Sequence, residues 1–405
     1  MAKNWVVDRL LRRRIHFPRI AEAKPMNTPR VSVIIPTYNR AGMVKESIDS
    51  VLSQTYPNIE LIVVDDGSTD DTREILATYG DQIVTVFQNN GGAGKARNAG
   101  LKIATGDLIA FLDSDDYYLP DKIRLEAEYL DAHPDADVVL CGFRFMDEEL
   151  NSSIIYNDFD VSNLVSQILW KDIGGLFPPN LPLFRREILE KVEGFDERLK
   201  MREEQDFWLR IALAGFQFRF IKEILCVSRG GKHSKGRAIE RVEPYMMMIF
   251  EKVFSHPNLP AEIVRIKDEI YARTFLHIHY TLCMSNPYSY EEKFSISKKY
   301  ARQAFDNQKD ISGWRTDTVD PFLYVVQSLD FDQQERFLND VLPETIHPDV
   351  RSYLFAELHV IRAFQARDQK KRGEIIKNVL KAFRYNIKIV RHKGTLALLG
   401  HALLK

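Results

Sequence analysis

Residues 31–66, "VSVIIPTYNRAGMVKESIDSVLSQTYPNIELIVVDD", decide the fold that we expect. The stretch begins with a continuous apolar run rich in β-branched residues, 31–36, which is typical of a strand buried on both faces. A second such run covers 60–66. Between them, 42–55 carries its apolar residues on one helix face: Val44, Ile48, Val51 and Leu52. The pattern predicts the strand–helix–strand unit of a parallel sheet.

The alternation of strand and helix continues beyond this unit. Three further strands are predicted, at 82–88, 108–112 and 137–143. Three further helices are predicted, at 68–80, 95–106 and 120–134, the last with Pro120 at its first position. The alternation therefore predicts an α/β domain over residues 31–238, with a mostly parallel sheet and helices on both faces.

The alternation stops near residue 240, where the pattern becomes helical. Helical segments are predicted at 242–254, 261–282, 291–305 and 372–390, separated by breaks that contain Pro, Asn and Ser. We therefore expect a separate helical domain over residues 239–405, and we assign residues 1–30 to a basic N-terminal extension.

Composition excludes some classes of protein. The chain is 45% hydrophobic and 28% charged, with a net charge of −1, so it is not broadly disordered and has no overall basic field for nucleic acid. We expect no nucleic-acid partner. The cysteines are far apart in sequence and lack metal-ligand spacing, which suits a reducing cytosol: Cys141, Cys226 and Cys283. We expect neither a secretory signal nor a membrane-spanning segment.

Polar clusters follow the predicted strands where each strand ends. Tyr38 and Asn39 follow the first strand, Asp65 and Asp66 the second, a glycine-rich loop the third and an acidic turn the fourth. Because the carboxyl ends of parallel strands meet at one edge of a sheet, where ligands bind, we expect the four clusters to lie close together.

The acidic turn, Asp113, Asp115 and Asp116, crowds like charges at the end of an apolar run. Asp113 and Asp115 form a D-x-D pair on one side of an extended backbone, which suits Mg²⁺ or Mn²⁺ together with substrate phosphates. The alternative is a solvated turn that caps the next helix. The convergence of four polar clusters favours the metal. We expect Asp116 to stabilise the turn or cap the next helix and assign it no metal or donor.

The glycine-rich loop, 89–100, precedes a helix that carries Lys95 and Arg97. It is not a P-loop, because Ala96 stands where Ser or Thr would bind Mg²⁺. It also lacks the third glycine of the dinucleotide fingerprint, where Arg97 stands. Backbone N–H groups and a guanidinium can hold phosphate oxygens. The alternative is a surface loop with two solvated cations.

A third candidate region is the predicted helix in 201–216, whose first turn holds Glu203, Glu204 and Asp206. Acidic residues at this position complement the helix dipole, which is the structural interpretation. The functional interpretation is a general base, a carboxylate on a rigid helix end that faces the pocket.

Six blocks of sequence together resemble the family 2 glycosyltransferases, which have the GT-A fold, a Rossmann-like α/β fold that binds nucleotide-diphosphate sugars. The resemblance covers about residues 31–235. The blocks, in order, are "VSVIIPTYNR", "LIVVDDGSTDDT", "NGGAGKARNAGL", "FLDSDDYYLPDKI", "FRREILEKVEGFDERL" and "REEQDFWLRIALAG".

The resemblance implies roles for individual residues. Pro36, Tyr38 and Asp66 match residues that hold the base and ribose of the donor, and Arg97 matches a basic residue near its diphosphate and sugar. Asp115 is implied as the direct metal ligand, with Asp113 beside it and nearer the ribose and sugar.

The resemblance also implies a base and a closing loop. Glu204 takes the position of the catalytic base, which is usually Asp, so Glu203 stays an alternative. The stretch "SRGGKHSKGR" resembles a loop that closes over the diphosphate, and its His233 is a candidate ligand of the metal or phosphate. A solvated basic loop is the alternative.

The implied function is inverting transfer of a sugar from a nucleotide-diphosphate donor, with a UDP-sugar favoured, to a glycan or glycolipid acceptor with Mn²⁺ or Mg²⁺. A cell-surface polysaccharide or glycolipid glycan is the expected product. Two alternatives are a nucleotidyltransferase that activates sugar phosphates and a non-catalytic carbohydrate-binding scaffold. The lack of a glycine- and arginine-rich loop after the first strand disfavours the nucleotidyltransferase, and intact Asp113, Asp115 and Glu204 disfavour the scaffold.

The C-terminal stretch from Arg362 to Lys405 is strongly basic, with twelve Lys and Arg residues against Asp368 and Glu374. Apolar residues interleave with the basic ones. This pattern suits peripheral contact with an anionic membrane, or a solvated face of the helical domain. We expect a cytoplasmic protein that can contact the inner face of the membrane.

Overall fold

The computed structural model describes residues 28–146, 153–156, 161–171, 178–229, 239–285, 290–305, 316–342, 346–369 and 371–385. In these ranges the strands form one mixed sheet. The strands are β1 (Val31–Thr37), β2 (Ile59–Asp65), β3 (Val84–Phe87), β4 (Leu108–Phe111), β5 (Tyr117–Tyr118), β6 (Val138–Met146), β7 (Ser153–Tyr156), β8 (Leu183–Arg185) and β9 (Phe218–Arg229).

Six helices accompany these strands. They are α1 (Val44–Leu52), α2 (Thr72–Ala77), α3 (Ala93–Ile103), α4 (Lys122–Ala132), α5 (Leu164–Lys171) and α6 (Glu203–Leu213). All five predicted strands and all five predicted helices of this part are present, so the α/β prediction is confirmed. Helix α4 begins at Lys122 rather than at the predicted Pro120. Residues 120 and 121 form a turn instead, and the Pro120 carbonyl accepts a hydrogen bond from the Thr55 amide.

The sheet runs in the order β3-β2-β1-β4-β8-β6-β9-β5, with β7 beside β6. Its first four strands are parallel, which brings the carboxyl ends of β1, β2 and β4 to one edge. Strand β8 then runs antiparallel to β4 and β6, while β9 runs parallel to β6. The sequence pattern did not predict β5, β7, β8 or β9, which are short or only partly buried.

Close packing of α3 on the sheet depends on glycine. A Cβ placed on Gly100 would lie 2.5 Å from Cγ2 of Ile34 in β1. This contact distance is too short for a side chain, so the helix can approach β1 only because residue 100 is glycine. The approach sets the distance between the start of α3 and the sheet edge.

The helices after the sheet are α7 (Ile239–Phe254), α8 (Ala261–Arg265), α9 (Lys267–Ser285), α10 (Tyr290–Phe305), α11 (Thr316–Gln327), α12 (Phe331–Val341), α13 (Pro348–Asp368) and α14 (Arg372–Tyr385). Helix α7 begins at Ile239, and the separate helical domain over residues 239–405 stays a prediction. The hydrophobic core of the sheet nevertheless continues through Phe250 to Ile270, and a second core begins at Ala272. Within the described ranges, none of the helices is long and apolar enough to cross a membrane.

Candidate active site

The glycine-rich loop is held to the end of β2 by Asp66. Both oxygens of this buried carboxylate accept hydrogen bonds: Oδ1 from the Gly91 amide at 2.8 Å and from Gln88 Nε2 at 2.7 Å, and Oδ2 from the Gly92 amide at 2.8 Å. Gly92 has a φ of 95°, a conformation that favours glycine. Asp66 therefore fixes the loop that leads into α3. Its predicted contact with the donor base or ribose stays a prediction.

The end of β1 places an aromatic ring at the same edge of the sheet. Pro36 is buried in β1, whereas Tyr38 just beyond the strand is 40% exposed. Asn39 has a φ of 50°, and its Oδ1 accepts a hydrogen bond from the Thr69 amide at 2.8 Å. The strand end is thus tied to the turn after β2, and the Tyr38 ring is left open at the sheet edge, as a base-stacking residue requires.

The acidic turn after β4 divides its three carboxylates between two environments. Asp113 and Asp115 face the sheet edge, with side chains 31% and 33% exposed. Asp113 Oδ1 pairs with Arg97 Nη2 at 2.7 Å, and Asp115 Oδ2 pairs with Arg40 Nη2 at 3.3 Å. Burial and the charge of Asp113 raise the pKa of Asp115, although Arg40 opposes the shift.

Asp116, in contrast, is buried and structural. Its Oδ2 accepts hydrogen bonds from Asn180 Nδ2 at 2.8 Å and from Ser228 Oγ at 3.0 Å, and its Oδ1 accepts one from the Arg229 amide at 2.8 Å. Burial, together with the charges of the other two aspartates in the turn, raises its pKa well above the usual value. Asp116 therefore fastens the end of β9 to the turn, and the Asp113 and Asp115 pair is left for other ligands.

Arg97 on α3 joins the acidic turn to helix α6. It is 3% exposed, with Nη2 on Asp113 and Nη1 on Glu203 Oε1 at 2.9 Å. Its guanidinium also lies 5.3 Å from the centre of the Phe195 ring. Burial alone would lower the pKa of Arg97, but the surrounding carboxylates, Asp113 and Glu203 foremost, outweigh it and raise that pKa. Arg97 is therefore a charged link between two halves of the site.

The two glutamates at the start of α6 differ sharply. Glu203 is buried and is engaged by Arg97. Glu204 is half-buried and receives no hydrogen bond or ion pair from another residue in the described ranges. Burial, with the charge of Glu203 added, raises the pKa of Glu204 to about 8. A carboxylate with this pKa can accept a proton near neutral pH.

The start of α6 is set by an unusual backbone conformation. Arg202, directly before the helix, has a φ of 63°, which is uncommon for a residue with a side chain. Further along, Asp206 pairs with Arg210 Nε at 2.8 Å and with Lys252 Nζ of α7. Lys252 also pairs with Asp196 Oδ2 at 3.0 Å. Helix α6 is therefore held at both its start and its side.

The acidic pair fits a hard divalent cation. Two like charges, Asp113 and Asp115, lie together at a partly exposed sheet edge, and a cation would relieve the charge that raises the pKa of Asp115. In the part of the chain that the structure describes, no group of three or more His, Cys, Asp or Glu residues is arranged for a metal. The predicted ligand His233 lies outside the described residues.

The structure thus brings together Tyr38, Asp66, Arg97, Asp113, Asp115 and both glutamates around one sheet edge. Sequence reasoning missed Arg40, Gln88 and Lys200, whose Nζ donates to the Gly91 carbonyl at 2.9 Å. The position of Arg40, directly after Tyr38 and Asn39, was a usable signal. Lys200 carries no such signal, because its partner lies 109 residues away.

Comparison with known proteins places this site in a family. The family model described as "Glycosyl transferase family 2" matches residues 32–193. An uncharacterized glycosyltransferase of Rickettsia prowazekii is 34% identical over 228 residues, which cover 54% of this chain and 70% of that protein. The Staphylococcus aureus poly(ribitol-phosphate) beta-N-acetylglucosaminyltransferase TarS is 29% identical over 277 residues, covering 65% of this chain and 46% of TarS.

A solved structure shows the same fold. The structure of S. aureus TarS 1-349 in complex with UDP-GlcNAc matches with a TM-score of 0.53 and 22% identity, over 88% of this chain and 91% of that one. The predicted GT-A fold is thereby confirmed. The family model matches the strands that carry the site, and the match to the Rickettsia relative covers more than two thirds of that protein. The chain therefore belongs to glycosyl transferase family 2.

Proposed function

We propose that this chain is an inverting glycosyltransferase that moves a sugar from a nucleotide-diphosphate donor to an acceptor hydroxyl. The observation that carries the proposal is Glu204, a carboxylate without a protein partner among the described residues, with a pKa raised to about 8, beside the Arg97 and Asp113 pair. The position suits a base that faces a donor bound at the sheet edge.

Glu204 would act as general base and Glu203 as its support. Glu204 takes the proton of the acceptor hydroxyl as that oxygen attacks the anomeric carbon from the face opposite the leaving diphosphate. The carbon–oxygen bond to the diphosphate breaks in the same displacement, so the anomeric centre inverts. Glu203 is bound to Arg97 and is therefore the weaker candidate for the base.

Asp113 and Asp115 would hold a divalent metal, Mn²⁺ or Mg²⁺. When bound, such an ion neutralises charge that develops on the leaving diphosphate. Arg97 orients Asp113 for this task, since its guanidinium is fixed by Glu203 on the other side. Metal dependence is thus part of the proposal.

The donor would be a nucleotide-diphosphate sugar, with a UDP-sugar favoured. TarS, which shares the fold, is described in complex with UDP-GlcNAc, and this supports a UDP-sugar here. Tyr38 is open for stacking on the base, and Pro36 and Asp66 shape the same edge. The glycine-rich loop, which Asp66 and Lys200 both hold at Gly91, would flank the diphosphate.

The acceptor would be a glycan or a glycolipid, and the pathway would make a cell-surface polysaccharide or glycolipid glycan. TarS is named for a poly(ribitol-phosphate) substrate, which is a polymer, and this supports a polymeric acceptor for this chain. The residues that select the acceptor are expected in the region after β6 and in the helices, where no motif constrains the choice.

We propose a cytoplasmic enzyme that contacts the inner face of the membrane through its C-terminal helices. Helix α14 exposes Lys377, Leu380 and Arg384, and residues 386–405, which hold the rest of the basic stretch, lie outside the described residues. Sedimentation with anionic liposomes at low salt tests the contact. Failure to bind anionic vesicles, with zwitterionic vesicles as the control, contradicts it.

A donor panel tests the activity. Purified protein is screened with nucleotide sugars and Mn²⁺ by thermal shift, because a bound donor stabilises the folded state. The stabilising donors are then incubated and the products identified. Release of nucleoside diphosphate supports the proposal. A parallel incubation with nucleoside triphosphates and sugar 1-phosphates tests the alternative, in which release of pyrophosphate supports a nucleotidyltransferase. No turnover in either incubation supports a scaffold. Asp115→Asn should abolish turnover without lowering the thermal transition of the free protein.

A further inference from the structure

Arg40 occupies a fixed position above the acidic turn. The loop that carries it is bound to the turn after β2: the Asn39 amide donates to Ser68 Oγ at 2.9 Å, the Thr69 amide to Asn39 Oδ1 at 2.8 Å and the Arg40 amide to Thr72 Oγ1 at 3.0 Å. The backbone of Arg40 is therefore held from one side, and its side chain extends toward the site.

The acidic turn is held just as firmly on the other side. Ser47 of α1 donates its hydroxyl to the Asp116 carbonyl at 2.6 Å, and the Asp116 amide donates to the Asp113 carbonyl at 3.0 Å. Between these two fixed loops, Arg40 Nη2 meets Asp115 Oδ2 at 3.3 Å. Asp115 is the residue that our proposed function assigns as a ligand of the metal.

The Arg40–Asp115 pair is weak enough to be exchanged. Both side chains are 33% exposed, and 3.3 Å is long for a charge-assisted hydrogen bond. Exposed pairs of this kind stabilise a protein little. Among the described residues the Arg40 guanidinium makes one further polar contact, Nη1 to the Asn39 carbonyl, which at 3.4 Å is also long. Arg97, by comparison, is buried and makes two shorter contacts, so we expect Arg40 rather than Arg97 to exchange its partner.

We propose that Arg40 is a resident counter-ion of Asp115 that competes with the divalent cation and yields Asp115 when cation and donor diphosphate arrive together. The inference rests on the proposed function and adds a coupling to it. Without donor, the guanidinium and the cation repel each other at one carboxylate, so the cation binds weakly. The diphosphate brings negative charge to which the displaced guanidinium can donate hydrogen bonds. Cation and donor then bind cooperatively.

Direct measurement of Mn²⁺ binding tests this coupling without turnover. Free Mn²⁺ is followed by electron paramagnetic resonance in titrations of wild type and Arg40→Gln, each with and without UDP. In the absence of UDP, Arg40→Gln should bind Mn²⁺ roughly two- to fivefold tighter, which corresponds to the value of an exposed ion pair. UDP should tighten Mn²⁺ binding more in wild type than in Arg40→Gln.

Arg219→Gln is the matched control. Arg219, whose side chain is as exposed as that of Arg40, forms a 2.6 Å pair with the more exposed Asp135 on a different part of the surface, so its removal should change neither titration. Equal or weaker Mn²⁺ binding by Arg40→Gln without UDP would overturn the inference. So would an absence of Mn²⁺ binding in both proteins with UDP. The donor panel decides the proposed sugar transfer separately, because its readout is the released nucleotide.

Discussion

At the scale of single residues, the site depends on two neighbouring glutamates, Glu203 and Glu204, whose surroundings differ. Arg97 binds Glu203, while the carboxylate of Glu204 has no hydrogen-bonding partner among the described residues and burial raises its pKa from 4.5 to about 8. Two adjacent glutamates can take these different roles only if the start of the helix is fixed. The left-handed Arg202 and the buried Arg97 provide that fixing.

Glu204→Gln tests the role of the base. Its kcat should fall about 10²- to 10⁴-fold, because Gln cannot accept the proton. Wild-type kcat should rise as the pH increases through about 8, where Glu204 loses its proton. The measurement is initial rate against pH from 6 to 9.5, with the exposed Glu190→Gln as the control. Full activity in Glu204→Gln would exclude this residue as the base.

The same variant has a predicted effect on stability. The pKa of Glu204 is higher in the folded protein than in the unfolded chain, so the folded state loses stability as pH rises from about 4.5 through about 8. The Glu204→Gln variant has no titrating group at this position, so its folded state does not lose this stability. Glu204→Gln should therefore have a higher thermal transition than wild type at pH 8.5 and an equal one at pH 4.5. A lower transition at pH 8.5 would mean that the carboxylate has an unrecognised partner.

At the scale of elements, helix α6 is the part that the helical region holds in place. Lys252 of α7 reaches Asp206, whose side chain is 2% exposed, and Asp196. Asp206 lies in the same first turns as Glu204. Contact between the two halves of the chain therefore bears on the position of the base.

Lys252→Met should loosen this arrangement. Asp206 keeps Arg210 but loses one of its two cationic partners, which should cost about 1–3 kcal/mol of unfolding free energy and lower kcat. Urea unfolding and initial rates are the measurements. Lys299→Met is the control, since its 2.8 Å pair with Glu243 involves a lysine that is 54% exposed. Equal effects of the two variants would show that Lys252 has no special role.

The sequence was informative about elements wherever an element is continuous in apolar character. The apolar runs that form β1, β2 and β4 are buried throughout or nearly so. The spacing of their apolar residues and their length identified them as strands. The pattern was silent on β9, where buried and exposed residues mix, and on the Asp116 contacts with Asn180 and Ser228. Those partners lie 64 and 112 residues away, so only the folded chain reveals them.

At the scale of the whole molecule, the boundary between sheet and helices is one of secondary structure but not of packing. Among the described residues, the last strand ends at Arg229 and the next helix begins at Ile239. Yet Phe250 lies in the core of the sheet domain, with Tyr271 at 4.9 Å between ring centres. Periodicity could locate the change of element, but a local pattern cannot show which core a helix face joins.

A pair of core variants tests this continuity. Phe250→Ala and Phe337→Ala each remove a fully buried ring, the first from the sheet core and the second from the helical core, and each should cost about 3–5 kcal/mol of unfolding free energy. They should differ in where the cost appears. Phe250→Ala should speed amide hydrogen exchange in α6 and in the parallel strands, and should weaken donor-induced stabilisation, because α7 packs into the core beneath the site.

Phe337→Ala should speed exchange in α10 to α12 and leave α6 protected. Hydrogen exchange followed by mass spectrometry, with and without UDP, resolves the two regions. If Phe250→Ala leaves exchange in α6 unchanged, the sheet domain holds its site without the packing of α7. If Phe337→Ala also exposes α6, the two cores unfold as one unit, and positions far into the helical region control the stability of the base.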